Sequence, residues 1–389
     1  MKFITADRIH DGQGWLPAGT TIGVADDGTI VSFEATPTLD TVVYQGVLVP
    51  GFVNAHCHLE LSHMKGLAAE RTGLIPFLKN IPQYRNTFTD EQKHDARHTA
   101  FAAMLEAGVI AVGDIANTND TLDLRATGLM HFHTFVESLG FTASLADRSF
   151  GFATGVYTGY AAQPPAGMVL RQSIVPHAPY SVSPALFGLI DSHQPGALVS
   201  IHNQESEDEN RFFIDGSGGV PELLQVLGVD TSEFKPTGMR SLASYMQWMT
   251  HHHPLILVHN TSSAQEDVAR AQANGREVYW CLCPNANLYI EGRLPDIDLF
   301  VREGVNICIG TDSLASNHNL SILSELVTIK QRYPHISWET LIGWGTLGGA
   351  KALQMQAIVG SLTPGKKPGI NLLQGLDQGT DCITVQRIV

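Results

Sequence analysis

The sequence predicts an α/β protein: a (β/α)8 TIM-type barrel with a small β-sandwich domain formed by the N- and C-terminal segments. Three observations lead there. Eight apolar strand candidates between residues 51 and 316 each end in polar residues. Most are followed by a stretch with helical spacing. The segments before and after them share a turn-rich strand texture. At 389 residues the chain exceeds one ordinary domain but fits a large barrel plus an accessory unit. With 43% hydrophobic and only 16% charged residues, it has ample apolar material for a buried core.

Taken in order, residues 1–48 read as short strands, KFITADRIH, TIGVADDGTIVSFEA and VVYQGVLV, with Asp26-Asp27-Gly28 as a hairpin signal. The barrel is expected over 49–355. Its strands are GFVNAHCHLEL, VIAVGDIANT, MHFHTFVES, MVLRQSIVPHAPY, ALVSIHNQES, LILVHNTS, EVYWCLCPNAN and VNICIGTDSLAS. Helical stretches such as TDEQKHDARHTAFAAMLEAG and SAQEDVARAQANG lie between them, the latter stopped by glycine. Residues 356–389 return to strand texture in GSLTPGKKPGINLL and CITVQRIV and complete the small domain. Strands alternating with helices make a parallel barrel, whose catalytic groups belong at the C-terminal strand ends.

Charge narrows the partners. The formal net charge is −14 and no basic cluster exceeds the Lys366–Lys367 pair, which argues against nucleic acid or an anionic membrane. No stretch approaches the roughly 20 apolar residues of a membrane helix. MKFITADRIHDGQGW has no apolar signal core, and five scattered cysteines fit reduced thiols, so a cytoplasmic location is expected. A small molecule is the expected partner.

The strand ends hold the chemistry. Strand one ends in His56 and His58, strand four in His177, strand five in His202 and Glu205, strand six in His259 and strand eight in Asp312. Residues two apart on a strand share a face, so His56 and His58 can converge while Cys57 looks away. A third imidazole, His202, and the Asp312 carboxylate would complete a site for one divalent ion, Zn2+ or alternatively Fe2+.

The motifs PGFVNAHCHLELSHMKG, PHAPYSVS, SIHNQES, LVHN, CPNAN, GTDSLASN and GSLTPGK occur in this order over nearly the whole chain. Together they resemble the amidohydrolase superfamily, in its branch of aminohydrolases that deaminate purines and related heterocycles. HCHLELSHMKG and GTDSLASNHNLSILSEL most resemble the aminofutalosine deaminases of the alternative menaquinone pathway. The resemblance implies one metal held by His56, His58, His202 and Asp312. It makes Glu205 the proton shuttle, His259 the group orienting water or leaving group, and His177 a substrate contact. The absence of a lysine from VLRQSIVPHAPY favours a single metal, and the resemblance also implies a homodimer. The implied reaction replaces the exocyclic amino group of an adenine-type ring with oxygen. Alternatives are another cyclic amidine (guanine, S-adenosylhomocysteine or methylthioadenosine, a pterin), a triazine-type chlorohydrolase, or a non-catalytic scaffold barrel.

Other residues read less sharply. Glu60, two beyond His58, is either a substrate contact or structural; Ser313 and Asn317 either touch substrate or shape their loop. His63 reads as a loop histidine, and Glu207 and Asp208 as a solvated face. The run His251–His252–His253 reads as a solvated loop at the non-catalytic end of strand six. Cys281 and Cys283 read as strand packing.

Overall fold

The computed structural model describes residues 1–37 and 39–389. The N-terminal segment forms β1 (Lys2–Ile9), β2 (Thr21–Val24), β3 (Ile30–Glu34) and β4 (Thr41–Pro50). The predicted hairpin joins β2 to β3, its turn closed by Gly28 N donating to Ala25 O at 3.0 Å.

Eight strands follow, each inside its predicted segment: β5 (Phe52–Cys57), β6 (Val109–Ala116), β7 (His131–Ser138), β8 (Leu170–Pro176), β9 (Val199–Asn203), β10 (Leu255–His259), β11 (Val278–Leu282) and β12 (Asn306–Ile309). β13 (Ile370–Gln374) and β14 (Thr384–Arg387) end the chain.

β5–β6–β7–β8 and β9–β10–β11–β12 are two four-stranded, all-parallel sheets. Backbone hydrogen bonds join them at both seams. His202 N donates to His177 O at 3.0 Å on one side, and Thr311 N to His56 O at 2.9 Å on the other. Strands with both faces covered should be apolar throughout, and β6, β7, β10 and β11 are buried at every residue. The helix Asp90–Glu106 shows why the intervening segments are helical: Thr89 and Gln92 form a reciprocal capping box at its start.

The terminal segments form one six-stranded sheet, in the order β14–β13–β4–β1–β2–β3. β4 lies parallel to β1 and antiparallel to β13, so the two chain ends share a core containing Ile4, Ile22, Leu48, Ile370 and Leu372. Gly51 alone separates β4 from β5. A Cβ there would fall 2.6 Å from Pro368 O and 2.9 Å from Ile110, so a larger residue would push the two sheets apart. No helix among the described residues is long and apolar enough to cross a membrane.

Candidate metal centre

Every sequence-selected histidine of the strand ends arrives at one place. His56 lies in β5, and His58 immediately precedes the 3-10 turn Leu59–Met64 that follows it. His202 lies in β9 and His259 ends β10, while His177, Glu205 and Asp312 follow β8, β9 and β12. Local backbone directs two of them inward. His259 and Asp312 have left-handed φ values of 73° and 57°, unusual for non-glycine residues and characteristic of over-determined functional sites. Asp312 N donates to His56 O at 3.1 Å, which ties the loop after β12 to β5. Gly310 makes this approach possible: a Cβ on it would lie 2.8 Å from His56 Cβ and 2.9 Å from Cys281 Sγ.

Asp312 Oδ1 lies 3.5 Å from His56 Nε2 and 3.4 Å from His58 Nε2. His58 Nε2 and His202 Nε2 face each other at 3.3 Å. Since a carbonyl only accepts, His202 Nδ1, 2.7 Å from His177 O, carries the ring proton and leaves Nε2 with its lone pair. Both nitrogens of His56 are buried without a hydrogen-bond partner among the described residues. Tetrahedral ligand atoms bound at about 2.0–2.1 Å would stand about 3.3–3.4 Å apart. The separations of Asp312 from His56 and His58, and of His58 from His202, are therefore those expected of ligands around a Zn2+-sized ion. His259, whose ligand atom lies within 4.8 Å of those of His56, His202 and Asp312, is a further neighbour.

The electrostatics favour neutral imidazoles beside an ionised carboxylate. Burial lowers His56, His202 and His259 to about 4 each. Burial alone would raise Asp312, but the adjacent imidazoles of His56, His58 and His259 hold it well below the usual carboxylate range. Ser316 Oγ donates to its Oδ2, leaving Oδ1 toward the histidines. Glu205 behaves oppositely: burial first, then the charges of Asp312, Glu209 and Glu291, push it well up. Its Oε1 stands 3.6 Å from His259 Nε2.

A cavity of about 210 Å3 opens over this cluster. His58, His177, His202, Glu205, His259, Asp312 and Ser313 all reach its wall, and its outer part is apolar side chains from the helices Leu74–Arg85 and Val220–Val226. Glu60 and Asn317 do not line it. β5 stops at Cys57 and the chain coils into the 3-10 turn, so strand alternation does not carry Glu60 to the ligand face. Glu60 instead accepts from Arg85 at 2.5 Å and Asn117 N at 2.9 Å. Asn317 Nδ2 donates to Thr311 O at 2.9 Å and Glu325 Oε1 at 2.8 Å, which shapes the Asp312 loop.

Three polar wall residues escaped the sequence reading: Arg85, Asn117 and Glu137. Asn117 and Glu137 lie where β6 and β7 end, the same signal that marked the histidines. Glu137 accepts from Asn117 Nδ2 at 3.1 Å and lies 3.4 Å from His202 Nδ1, and burial raises it to about 8.

Other expectations need correction. His253 is buried rather than solvated, with Nδ1 2.8 Å from Ala197 O and Nε2 3.1 Å from Asp191 O; a loop packed over Asp191 holds it there, and only His252 is exposed. His63 is buried against the Phe88 ring. Cys57, Cys281 and Cys283 are free, buried thiols.

An aminodeoxyfutalosine deaminase of Deinococcus radiodurans is 26% identical over 396 residues, covering 96% of this chain and 89% of that one. The crystal structure of Helicobacter pylori aminofutalosine deaminase in complex with methylthio-coformycin matches the fold with a TM-score of 0.81 at 22% identity, covering 100% of both chains. That of a Xanthomonas campestris adenosine deaminase with bound zinc matches with a TM-score of 0.77 at 22% identity, over 98% of this chain and 86% of that one. The amidohydrolase family model matches residues 47–386, which begin at the end of β4, just before β5, and run into β14. The chain belongs to the amidohydrolase family.

Proposed function

We propose that this protein is a metal-dependent aminohydrolase that replaces the exocyclic amino group of an adenine-type ring with oxygen and releases ammonia. The observation that carries the reading is the convergence of four metal-fitting donors beneath a cavity that also holds a buried carboxyl. The donors are His56, His58, His202 and Asp312; Zn2+ is the first choice of ion and Fe2+ the second. The carboxyl is Glu205. A bound ion would lower the pKa of a water ligand from about 15.7 toward about 7.

The chain's own groups divide the proton work. Asp312 is held ionised and accepts a proton from the attacking water. Glu205, its carboxyl pushed well up by burial, gives a proton to the ring nitrogen beside the reacting carbon. His259, its Nε2 facing Glu205, orients the water or the departing amine, and His177 and Ser313 hold substrate at the wall. One water enters, its oxygen stays on the ring, and the amino group leaves with the transferred protons as ammonia. Glu60 and Asn317 support this wall from behind through Arg85 and Thr311.

The first substrate is aminodeoxyfutalosine, which would assign the enzyme to menaquinone biosynthesis; methylthioadenosine and related adenine nucleosides come second. The same reading closes the two parallel sheets into a (β/α)8 barrel over 49–355. The small β domain, a sandwich in this reading, comprises 1–48 and 356–389. The backbone bonds at both seams and the shared terminal sheet support it. A cytoplasmic homodimer completes the proposal, tested by sedimentation equilibrium and cell fractionation.

Ammonia release and ultraviolet difference spectra over a panel of aminated purines test the reaction. Glu205→Gln should keep its metal and lose about 10²–10⁴-fold in turnover. Near wild-type turnover in that variant would reject the shuttle.

A further inference from the structure

Away from the strand ends, a second group of imidazoles faces solvent. His94 and His98 lie four residues apart in the helix Asp90–Glu106 and therefore share a face. Their ring centroids are 4.1 Å apart, with a tilt of 32° between the planes. Asp123, in the short helix Leu122–Ala126, reaches across to both. Its Oδ1 accepts from Leu124 N at 2.8 Å, which fixes the carboxylate in place. Its Oδ2 then stands 2.8 Å from His98 Nε2 and 3.4 Å from His94 Nε2.

This geometry parallels the core centre, where one Asp312 oxygen stands 3.5 and 3.4 Å from two histidine Nε2 atoms. Two imidazoles four apart on a helix are a preformed chelate, because the helix orients both rings before an ion arrives. Among the described residues their nitrogens hydrogen-bond only to carboxylates, at 3.3 and 2.8 Å, whereas both nitrogens of His253 are taken by backbone carbonyls. Burial works against the Asp123 charge, but the His98 hydrogen bond and Arg97 prevail and hold its carboxyl below the usual range. The side chains of His94, His98 and Asp123 are 52%, 39% and 38% exposed, so an ion and its water can reach them.

Arg97 is the competing cation. Its Nη2 lies 3.6 Å from Asp123 Oδ2 and its Nη1 3.9 Å from Asp120 Oδ2. Both separations exceed hydrogen-bonding range, so the guanidinium attracts the carboxylate without occupying it. Its charge still opposes a bound cation, and the site has one donor fewer than the core centre. Affinity should therefore be the weaker of the two.

We propose that His94, His98 and Asp123 form a second, solvent-facing metal site that takes a divalent ion of the zinc type, with water in the fourth position. Two imidazoles in the donor set favour zinc, copper or nickel over magnesium and calcium. The ion would clasp the helix that precedes β6 to the one that follows it. The inference is independent of the aminohydrolase reading.

The test uses the full chain without a polyhistidine tag, first loaded with one Zn2+ per chain. Calorimetric titration with further Zn2+ should show one more, weaker equivalent, and Mg2+ should show none at the same concentration. His94→Gln should raise the dissociation constant of that equivalent at least about ten-fold. The double variant His94→Ala/His98→Ala should lose it, while His251→Ala should keep it, which separates this site from the Asp191 cluster. Excess Zn2+ should raise the melting temperature of the wild type and not of the double variant. Equal melting temperatures before the excess is added would show that the variants fold. No second equivalent in the wild type, one that survives the double variant, or equal binding of Mg2+ would overturn the inference. A single equivalent that is lost in the double variant and kept in His58→Ala would support this site and overturn the core centre instead.

Discussion

His259 ends β10 and His253 lies two residues before it begins, so one strand carries a histidine–aspartate cluster near each end. At the far end, Asp191 accepts from Thr250 N, Thr250 Oγ1 and His251 Nδ1, at 3.0, 2.7 and 2.7 Å. Both nitrogens of His253 meet backbone carbonyls. At the near end, neither nitrogen of His56 has a hydrogen-bond partner among the described residues, and His58 Nε2 faces His202 Nε2 at 3.3 Å, an arrangement that suits a shared cation. Residue type and proximity are alike in the two clusters. What separates them is whether the donors are already spent on the protein.

The largest test of this contrast is removal of a ligand. His58→Ala should abolish tight metal binding, measured as metal per chain after dialysis, whereas His251→Ala should leave that stoichiometry at the wild-type value. Loss of metal in His251→Ala would erase the distinction. Next, Asp191→Ala should cost about 2–3 kcal/mol in denaturant unfolding, because it strands several donors, again without loss of metal. Burial works against the Asp191 charge, but the hydrogen bonds from His251 and Thr250 prevail and hold its carboxyl below the usual range. Its stabilisation is therefore complete above the ordinary value of about 3.9 and is lost as pH falls through the lower folded value. A wild-type acid unfolding curve matching that of Asp191→Asn would contradict this.

Gly310→Ala should follow, destabilising by about 1–3 kcal/mol and weakening metal binding, since the new methyl meets His56 and Cys281. Unchanged melting and metal affinity would show that the seam is more yielding than its contacts imply. The smallest effect is expected of Ser316→Ala, which removes one hydrogen bond to Asp312; metal affinity should drop about ten-fold, by competition with a chelator.

The strands and the convergent donors were legible because each strand is an apolar run with a polar end, and that pattern is local. Glu60 shows where locality fails: its spacing from His58 implied a shared face, yet the chain leaves strand geometry one residue after Cys57. Arg85 was hidden for another reason. It sits at the end of a helix, and its position against Asn117 and Glu60 depends on packing between elements distant in sequence. Glu137 could have been found, because it stands at a strand end as the histidines do. His253 was misread because the partners that bury it, Asp191 and Ala197, come from another connection.

The most direct test of the central claim is X-ray absorption spectroscopy of the zinc-loaded protein. Coordination by His56, His58, His202 and Asp312 predicts only nitrogen and oxygen neighbours, at about 2.0–2.1 Å, with imidazole scattering beyond. Sulfur neighbours at about 2.3 Å, which would bring in Cys281, Cys283 or Cys308, or a spectrum left unchanged in His58→Ala, would contradict it.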